Sequence, residues 1–280
     1  MKTVLLPFYD DEVSANTFAL TMRIVRPMGA YLEGLFVLRR PPIAVDDMGD
    51  LNVSNFDRFN EECKRIANRS RLCFERCAAG QGLAIEAVSA SQSVATGWRE
   101  IEGIEGQVLG GHGRLFDLIV VGRNMGRGWL NWREMVESAL FESGKPVLLA
   151  PEKACTSCGE HVLIAWNSST ETARTISFAM PLLRRARVVT IATVKGWGVA
   201  GPTGEELATY LRRSGVPANA RIVDPNGRTP GATILDECAQ SAADLLLKGA
   251  YTQSRLRQMI FGGATRHILA QAKLPVLLAN

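Results

Sequence analysis

The chain has 280 residues, of which 46% are hydrophobic and 21% are charged, and this composition excludes a disordered or collagen-like protein. Its 32 basic and 28 acidic side chains give a formal net charge of +4 without a long basic run, so we expect no nucleic-acid partner. At roughly 100–150 residues per domain, the length predicts two domains.

The amino-terminal half contains five predicted strands, and runs such as Leu118–Val121 and Val147–Ala150 are apolar at successive positions, as strands covered on both faces are. We expect these strands near Thr3–Pro7, Tyr31–Leu38, Ala84–Val88, Asp117–Gly122 and Pro146–Pro151. Between the second and third strands, apolar and cysteine positions at helical spacing predict one long amphipathic helix over Phe56–Cys77. An irregular linker over Pro151–Glu160 follows the fifth strand.

The carboxyl-terminal half shows the same alternation of strands and helices. Ser168 and Glu171 form an S-x-x-E pattern, which predicts a capping box at the start of a helix that ends near Arg184. The other helices are predicted over Glu205–Ser214, Gly231–Ala243 and Phe261–Ala272. The predicted strands are Val162–Ala165, Val188–Val194, Arg221–Val223, Asp244–Ala250 and Pro275–Asn280. This pattern is typical of a parallel sheet with helices on both faces.

Three matching sequence pairs indicate that the two halves are copies of one unit. The pairs, first copy before second, are Val4–Asp11 with Val162–Ser169, Asp117–Gly122 with Asp244–Gly249, and Pro146–Ala150 with Pro275–Ala279. Because the pairs occur in the same order in both halves, we interpret the chain as a tandem duplication. The first copy has about 31 more residues before its fourth strand, so Pro41–Gly80 is predicted to be an insertion.

The end of the second copy carries a glycine-containing pattern after its fourth strand. The segment Gly249–Arg257 is followed by Phe261–Leu269 and then by Leu274–Leu278. Together these segments closely resemble the carboxyl-terminal part of universal stress proteins, whose nucleotide-binding members carry G-x2-G-x9-G-[ST]. The segment Val162–Ala186 also resembles the first strand and helix of tandem bacterial members of that family.

The resemblance implies a fold and an arrangement of domains. It implies two tandem Rossmann-like (adenine nucleotide alpha hydrolase-like) domains, over residues 1–151 and 160–280. Each would be a five-stranded parallel sheet in the order 3-2-1-4-5, with helices on both faces. The family pairs its domains along their fifth strands, so we expect an intramolecular pseudo-dimer of the two halves and consider a homodimer as well.

The resemblance also implies ATP or AMP at the carboxyl ends of the strands. The positions that match the family's nucleotide site are Ala165, Asn167, Val194, Gly249, Thr252, Gly262, Gly263, Ala264 and Thr265. Independently of the family, Gly249 would let the backbone pass close to a phosphate, and a helix that begins after Gly262 and Gly263 would favour an anion.

Three of these positions depart from the family pattern. Thr252 stands in place of the second glycine, and Gly263 stands in place of the serine or threonine, although Thr265 follows two residues later. Asn167 stands where the family has an aspartate; asparagine can donate and accept hydrogen bonds but carries no charge.

In the first copy the same motif has decayed. Met125 occupies the second glycine position, and Arg133 and Glu134 occupy the positions of the glycine pair, with Glu137 on the next turn. Acidic side chains in the first turn of a helix interact favourably with its dipole and repel phosphate. We therefore expect an adenine nucleotide in the carboxyl-terminal domain only.

Our first hypothesis, which rests on the resemblance, is a non-enzymatic tandem universal stress protein that binds ATP or AMP, with no metal. One alternative is a nucleotide-free interaction scaffold in which both sites are vestigial. Another is a metal- or redox-responsive protein that uses Cys155, Cys158 and His161, whose C-x2-C-x2-H spacing can bind zinc or exchange disulfides. That cluster lacks a fourth ligand from a second such motif.

Cellular location is predicted from what the sequence lacks. No apolar stretch approaches the roughly 18 residues that a membrane-spanning helix needs, and the start MKTVLLPFYDDEV reaches two acids too early for a secretory signal. The six cysteines are too sparse for a disulfide framework in a chain of this length. We therefore expect a cytoplasmic protein without a membrane partner.

Overall fold

A computed structural model of the chain describes residues 1–39, 53–85, 94–125, 130–250 and 263–280. The elements of the first half are β1 (Thr3–Pro7), α1 (Glu12–Met28), β2 (Tyr31–Arg39), α2 (Val53–Ala79), β3 (Ala95–Gly103), α3 (Glu105–His112), β4 (Leu118–Gly122), α4 (Trp132–Glu142) and β5 (Val147–Ala150). The elements of the second half are β6 (His161–Ala165), α5 (Thr170–Leu183), β7 (Val188–Val194), α6 (Gly204–Arg213), β8 (Ala218–Val223), α7 (Pro230–Gln240), β9 (Leu245–Gly249), α8 (Gly263–Gln271) and β10 (Val276–Ala279).

The strands of the described residues form one ten-stranded sheet in the order β3-β2-β1-β4-β5-β10-β9-β6-β7-β8. Neighbouring strands within each half are parallel, so each half has the predicted order 3-2-1-4-5. The predicted contact between the fifth strands is confirmed, because β5 and β10 pair antiparallel with Leu148 opposite Leu277. The α/β fold class is thereby confirmed.

Helices cover both faces of this sheet and bury its apolar strands. On one face, α1, α5 and α6 pack on residues such as Val4 and Ile164; on the other, α3, α4, α7 and α8 pack on residues such as Leu5 and Leu163. Successive strand residues point to opposite faces, so a run without polar residues is required when both faces are covered. The insertion contributes α2, whose Phe74 packs edge-on against Phe8 and Phe18.

The third strand of the first half is not where the sequence analysis put it. The structure places β3 at Ala95–Gly103, paired with β2 along its full length, whereas Ile85 makes only an isolated bridge to Thr96. Residues 86–88 of the predicted strand lie outside the described residues. β3 is an edge strand with buried residues at its start and partly exposed polar ones after it, so it lacks the apolar run by which the other strands were recognised.

Two further expectations concern membranes and cysteines. Over the described ranges, no helix combines the length and apolar character needed to cross a membrane. All six cysteines are free thiols.

Candidate functional site

A groove lies at the carboxyl ends of β6 and β7 in the second half. Its cavity volume is about 750 Å³, within the usual range for small-molecule sites. Asn167 and Ser168 line it from the end of β6, and Thr193 and Val194 line it from the end of β7. The connection from β7 to α6 and three residues of β8, 220–222, complete the lining. In open α/β sheets, ligands commonly bind at this edge, outside the carboxyl ends of the strands.

The groove combines apolar surface with hydrogen-bonding groups that lack partners. Ile222 is 78% exposed and Val199 is 54% exposed, and Trp197 lies beside them in the lining. The hydroxyl oxygen of Thr193 is buried and makes no hydrogen bond to any described residue. A predominantly apolar wall with a few polar groups is the composition of a site for an organic ligand. A buried hydroxyl without a partner is unusual in a native protein, and a bound ligand would supply one.

The β7–α6 connection is fixed across the end of β6. The Val199 N–H donates to the Asn167 carbonyl oxygen at 3.0 Å, and both Trp166 Nε1 and the Ser168 hydroxyl donate to the Pro202 carbonyl oxygen at 2.8 Å. Gly198 is required here, because it has φ +148° and a Cβ atom would lie 3.1 Å from the Asn167 carbonyl oxygen. The groove is therefore preformed on this side.

Asn167 organises the turn between β6 and α5. Its Oδ1 accepts hydrogen bonds from the backbone N–H and the hydroxyl of Ser169 and from the hydroxyl of Thr172, the last at 2.7 Å. Its Nδ2 makes no hydrogen bond to any described residue, although the side chain is almost fully buried. Because an aspartate has no such donor when ionised, Asn167 offers a ligand a different group from the family's aspartate.

The capping box predicted for Ser168 and Glu171 is wrong by one residue. The N-cap of α5 is Ser169, whose hydroxyl accepts from the Thr172 N–H. Ser168 has φ +60°, in the left-handed region, and its hydroxyl is used to hold Pro202. The tertiary contact with the β7–α6 connection thus decides which of two adjacent serines caps the helix.

Gly249 and Thr172 join the groove to the end of β9. The Gly249 N–H donates to the Thr172 hydroxyl at 3.3 Å, and that hydroxyl also bonds Asn167. A Cβ atom on Gly249 would lie 2.5 Å from the Thr172 backbone nitrogen, so glycine is required for α5 to pack on β9. Gly122 has the same role in the first half, where a Cβ atom would lie 2.5 Å from the Thr17 hydroxyl.

A buried lysine in β9, Lys248, directly precedes this glycine. Lys248 is 3% exposed, and its Nζ donates to the Gly249 carbonyl oxygen and to the Thr265 hydroxyl, each at 2.7 Å. Burial lowers the pKa of Lys248 to about 8, and the charge of Glu171 opposes this shift. Thr265 lies in the first turn of α8, so an ammonium group and a helix amino terminus meet at this point.

The remaining predicted site residues are placed as follows. Ala165 is fully buried in β6 and Val194 is almost fully buried at the end of β7. Ala264 packs against α7, because a Cβ atom on Gly231 would lie 3.0 Å from its carbonyl oxygen, whereas Gly263 is exposed. Thr252 and Gly262 lie outside the described residues.

Sequence reasoning named Asn167 and Thr265 but missed Lys248. The available signal was a lysine inside the apolar run Asp244–Ala250, at a position where the first copy has Val121.

The corresponding place in the first half is built differently. The amino end of α4 is capped by Asn131, whose Oδ1 accepts from the Glu134 N–H at 3.4 Å. Trp132 is buried there, with the guanidinium groups of Arg133 and Arg123 at 4.7 and 5.9 Å from its ring. Arg123 also donates to the Ala270 carbonyl oxygen of the second half at 3.3 Å. An acidic side chain in the first turn of α4 disfavours an additional anion.

The cysteines of the linker have little thiolate character. Burial raises the pKa of both Cys155 and Cys158. His161 Nε2 lies 3.1 Å from the Thr190 hydroxyl. Within the part of the chain that the structure describes, no group of three or more His, Cys, Asp or Glu residues could hold a metal ion. A reactive thiol requires a lowered pKa, so these facts oppose the redox alternative.

Comparisons with known proteins concern both the second half and the whole chain. The model of the universal stress protein family matches residues 160–280. A universal stress protein from Archaeoglobus fulgidus DSM 4304 has a similar structure, with 16% identity and a TM-score of 0.68 over 99% of this chain and 96% of its own. A functionally unknown protein from Pseudomonas aeruginosa PAO1 has 13% identity and a TM-score of 0.58 over 100% of this chain and 92% of its own.

A further structure, a universal stress protein in complex with cAMP, covers 44% of this chain and 98% of its own at 18% identity and a TM-score of 0.36. No match was found among curated proteins. At their identities, the Archaeoglobus fulgidus and Pseudomonas aeruginosa structures show a shared fold.

Proposed function

We propose that this chain, whose residues 160–280 match the model of the universal stress protein family, is a stress-response protein that binds one adenine nucleotide in its second half and catalyses no reaction. The observation that carries this proposal is a series of hydrogen bonds along one edge of the sheet, which links the groove to Lys248. The groove at Asn167 connects through the Thr172 hydroxyl to Gly249, and from there to the ammonium group of Lys248.

The two ends of this series of hydrogen bonds suit the two ends of a nucleotide. Trp197, Val199 and Ile222 offer apolar surface for a purine, and the Thr193 hydroxyl and Asn167 Nδ2 offer hydrogen bonds to its polar edge or to the ribose. At the other end, the amino terminus of α8 favours a negative charge. β7 and β9 flank β6 in the sheet, so their ends are about 10 Å apart, within the length of a nucleotide.

The amino end of the corresponding helix in the first half, α4, is less suited to an anion. Glu134 stands in the first turn of α4, and Asn131 already caps that helix. This difference supports one nucleotide per chain instead of two.

Isothermal titration calorimetry of the full chain with ATP, AMP and adenosine tests the proposal. We expect one ATP per chain and weaker binding of adenosine, which lacks the phosphates. Gly263→Asp adds a carboxylate at the amino end of α8, at an exposed position, and should weaken ATP binding while adenosine binding persists. Gly263→Ala, which adds no charge, is the matched control.

Two results would contradict the proposal. Absence of ATP binding by the wild type would favour the nucleotide-free scaffold, and two ATP molecules per chain would show that the first half also binds. The proposal that the protein catalyses no reaction is tested separately. ATP is incubated with the protein for a long time, recovered and analysed by chromatography. We expect unchanged ATP, and formation of ADP in proportion to protein concentration would overturn this part of the proposal.

A further inference from the structure

The two copies differ at a pair of buried positions beside the proposed phosphate site. In the second half, Lys248 on β9 bonds Thr265 on α8. In the first half, the matching positions, counted from the end of β4 and from the proline before β5, are Val121 and Val136. Both valines are almost fully buried in the same apolar cluster. The fold therefore accommodates an apolar pair at this place, and it does not require a charged one.

The charge of Lys248 is incompletely compensated. The ammonium group has three donors, and its hydrogen bonds to the Gly249 carbonyl and the Thr265 hydroxyl use two of them. Neither acceptor is charged, and no ion pair to Lys248 is present among the described residues. Glu171 on α5 is the carboxylate whose charge acts on it, but without a hydrogen bond. Burying a cation in this way costs free energy, and the positive end of the α8 dipole adds to that cost.

A bound phosphate would remove this cost. It could accept the third hydrogen bond, supply the missing negative charge and interact favourably with the amino end of α8. We propose that Lys248 supplies the positive charge that holds the phosphate of the ligand in the second half. This inference rests on the proposed nucleotide binding. Thr252 and Gly263 are substitutions within the G-x2-G-x9-G-[ST] pattern, and Lys248 lies outside that pattern. The inference assigns to Lys248 the contribution to phosphate binding that those two positions no longer make.

The alternative role for Lys248 is a structural clamp between β9 and α8. The two roles are separated by a pair of variants. Lys248→Met removes the charge and the hydrogen bonds together, whereas Lys248→Gln removes the charge but keeps an N–H group that can donate to the Thr265 hydroxyl. If Lys248 acts by its charge, both variants weaken ATP binding. If it acts as a clamp, Lys248→Gln retains ATP binding and only Lys248→Met weakens it.

Calorimetric titration of each variant with ATP and with adenosine is the experiment. We expect Lys248→Met to weaken ATP binding by about 10- to 100-fold, which is the effect of losing a charge-assisted hydrogen bond, and to leave adenosine binding unchanged. Lys248→Gln is expected to weaken ATP binding to a similar extent. Lys273→Met is the matched control, because it removes the same charge from an exposed position between α8 and β10.

A pH series on the wild type gives a second readout that needs no variant. Glu171 on α5 is the charged group that acts on Lys248, and Arg266 and His267 directly follow Thr265 in α8. Since burial lowers the pKa of Lys248 to about 8, ATP binding should weaken as pH rises above that value, while adenosine binding should not. This series decides the question if Lys248→Met does not fold.

The inference is overturned if Lys248→Met binds ATP as the wild type does, if Lys248→Gln retains wild-type ATP binding, or if wild-type ATP binding does not weaken above pH 8. Each of these results leaves the proposed nucleotide binding intact. Wild-type protein that binds neither ATP nor adenosine would instead contradict the proposed function, and the inference with it.

Discussion

Replacing Lys248 by methionine is expected to stabilise the free protein at neutral pH. The pKa of Lys248 falls from its ordinary value of 10.5 to about 8 on burial. Holding the charged form in the folded protein therefore costs about 3 kcal/mol relative to the unfolded chain, at 1.36 kcal/mol per pKa unit. Methionine has a similar length and carries no charge. Replacing Lys248 by methionine removes this cost but also removes two hydrogen bonds, worth about 1 kcal/mol each. The free energy of unfolding should therefore rise by about 1 kcal/mol.

The effect should depend on pH in a defined direction. The folded-state pKa lies below the unfolded-state value, so between about pH 8 and 10.5 the unfolded chain binds more protons at this residue than the folded protein does. Stability of the wild type therefore rises with pH through this window relative to the variant. At pH 10 about 1 kcal/mol of the ionisation cost remains, and the hydrogen bonds then make the wild type the more stable protein.

Urea denaturation followed by tryptophan fluorescence at pH 7, 8, 9 and 10 measures this difference. The variant should have the higher free energy of unfolding at pH 7 and the lower one at pH 10. Lys273→Met serves as the control, because an exposed lysine should give a difference that does not change over the same range. A difference between wild type and Lys248→Met that stays constant from pH 7 to pH 10 would refute the reasoning.

Two further predictions concern a glycine and the linker thiols. Gly249→Ala should lower the free energy of unfolding by about 1–3 kcal/mol, because its Cβ atom would lie 2.5 Å from the Thr172 nitrogen. Gly263→Ala, with no described atom within 4 Å of the added Cβ, should change it by less than about 1 kcal/mol, and equal urea midpoints for the two variants would contradict this contrast. Cys155 and Cys158 should react with iodoacetamide at pH 8 more slowly than in the urea-unfolded chain, because burial raises their pKa values; mass spectrometry that finds equal rates would show accessible thiolates.

The sequence by itself determined the duplicated α/β architecture. Runs such as Leu118–Val121 and Leu245–Leu247 are apolar at successive positions, which is the pattern expected of strands covered on both faces. The repeated order of the runs gave the two five-stranded units, and the family resemblance gave the contact between β5 and β10. β3 was missed because an edge strand with polar residues lacks this signal.

The tertiary structure decided how the candidate site is built. Whether Ser168 or Ser169 caps α5 depends on the β7–α6 connection, which is distant in sequence and bonds Ser168 through Pro202. Sequence patterns describe a residue by its neighbours along the chain, whereas a hydrogen-bond partner can come from any element that folds against it. For the same reason, the sequence shows Lys248 only as one polar residue in an apolar strand. Only packing of α8 against β9 buries its charge and places it beside Thr265.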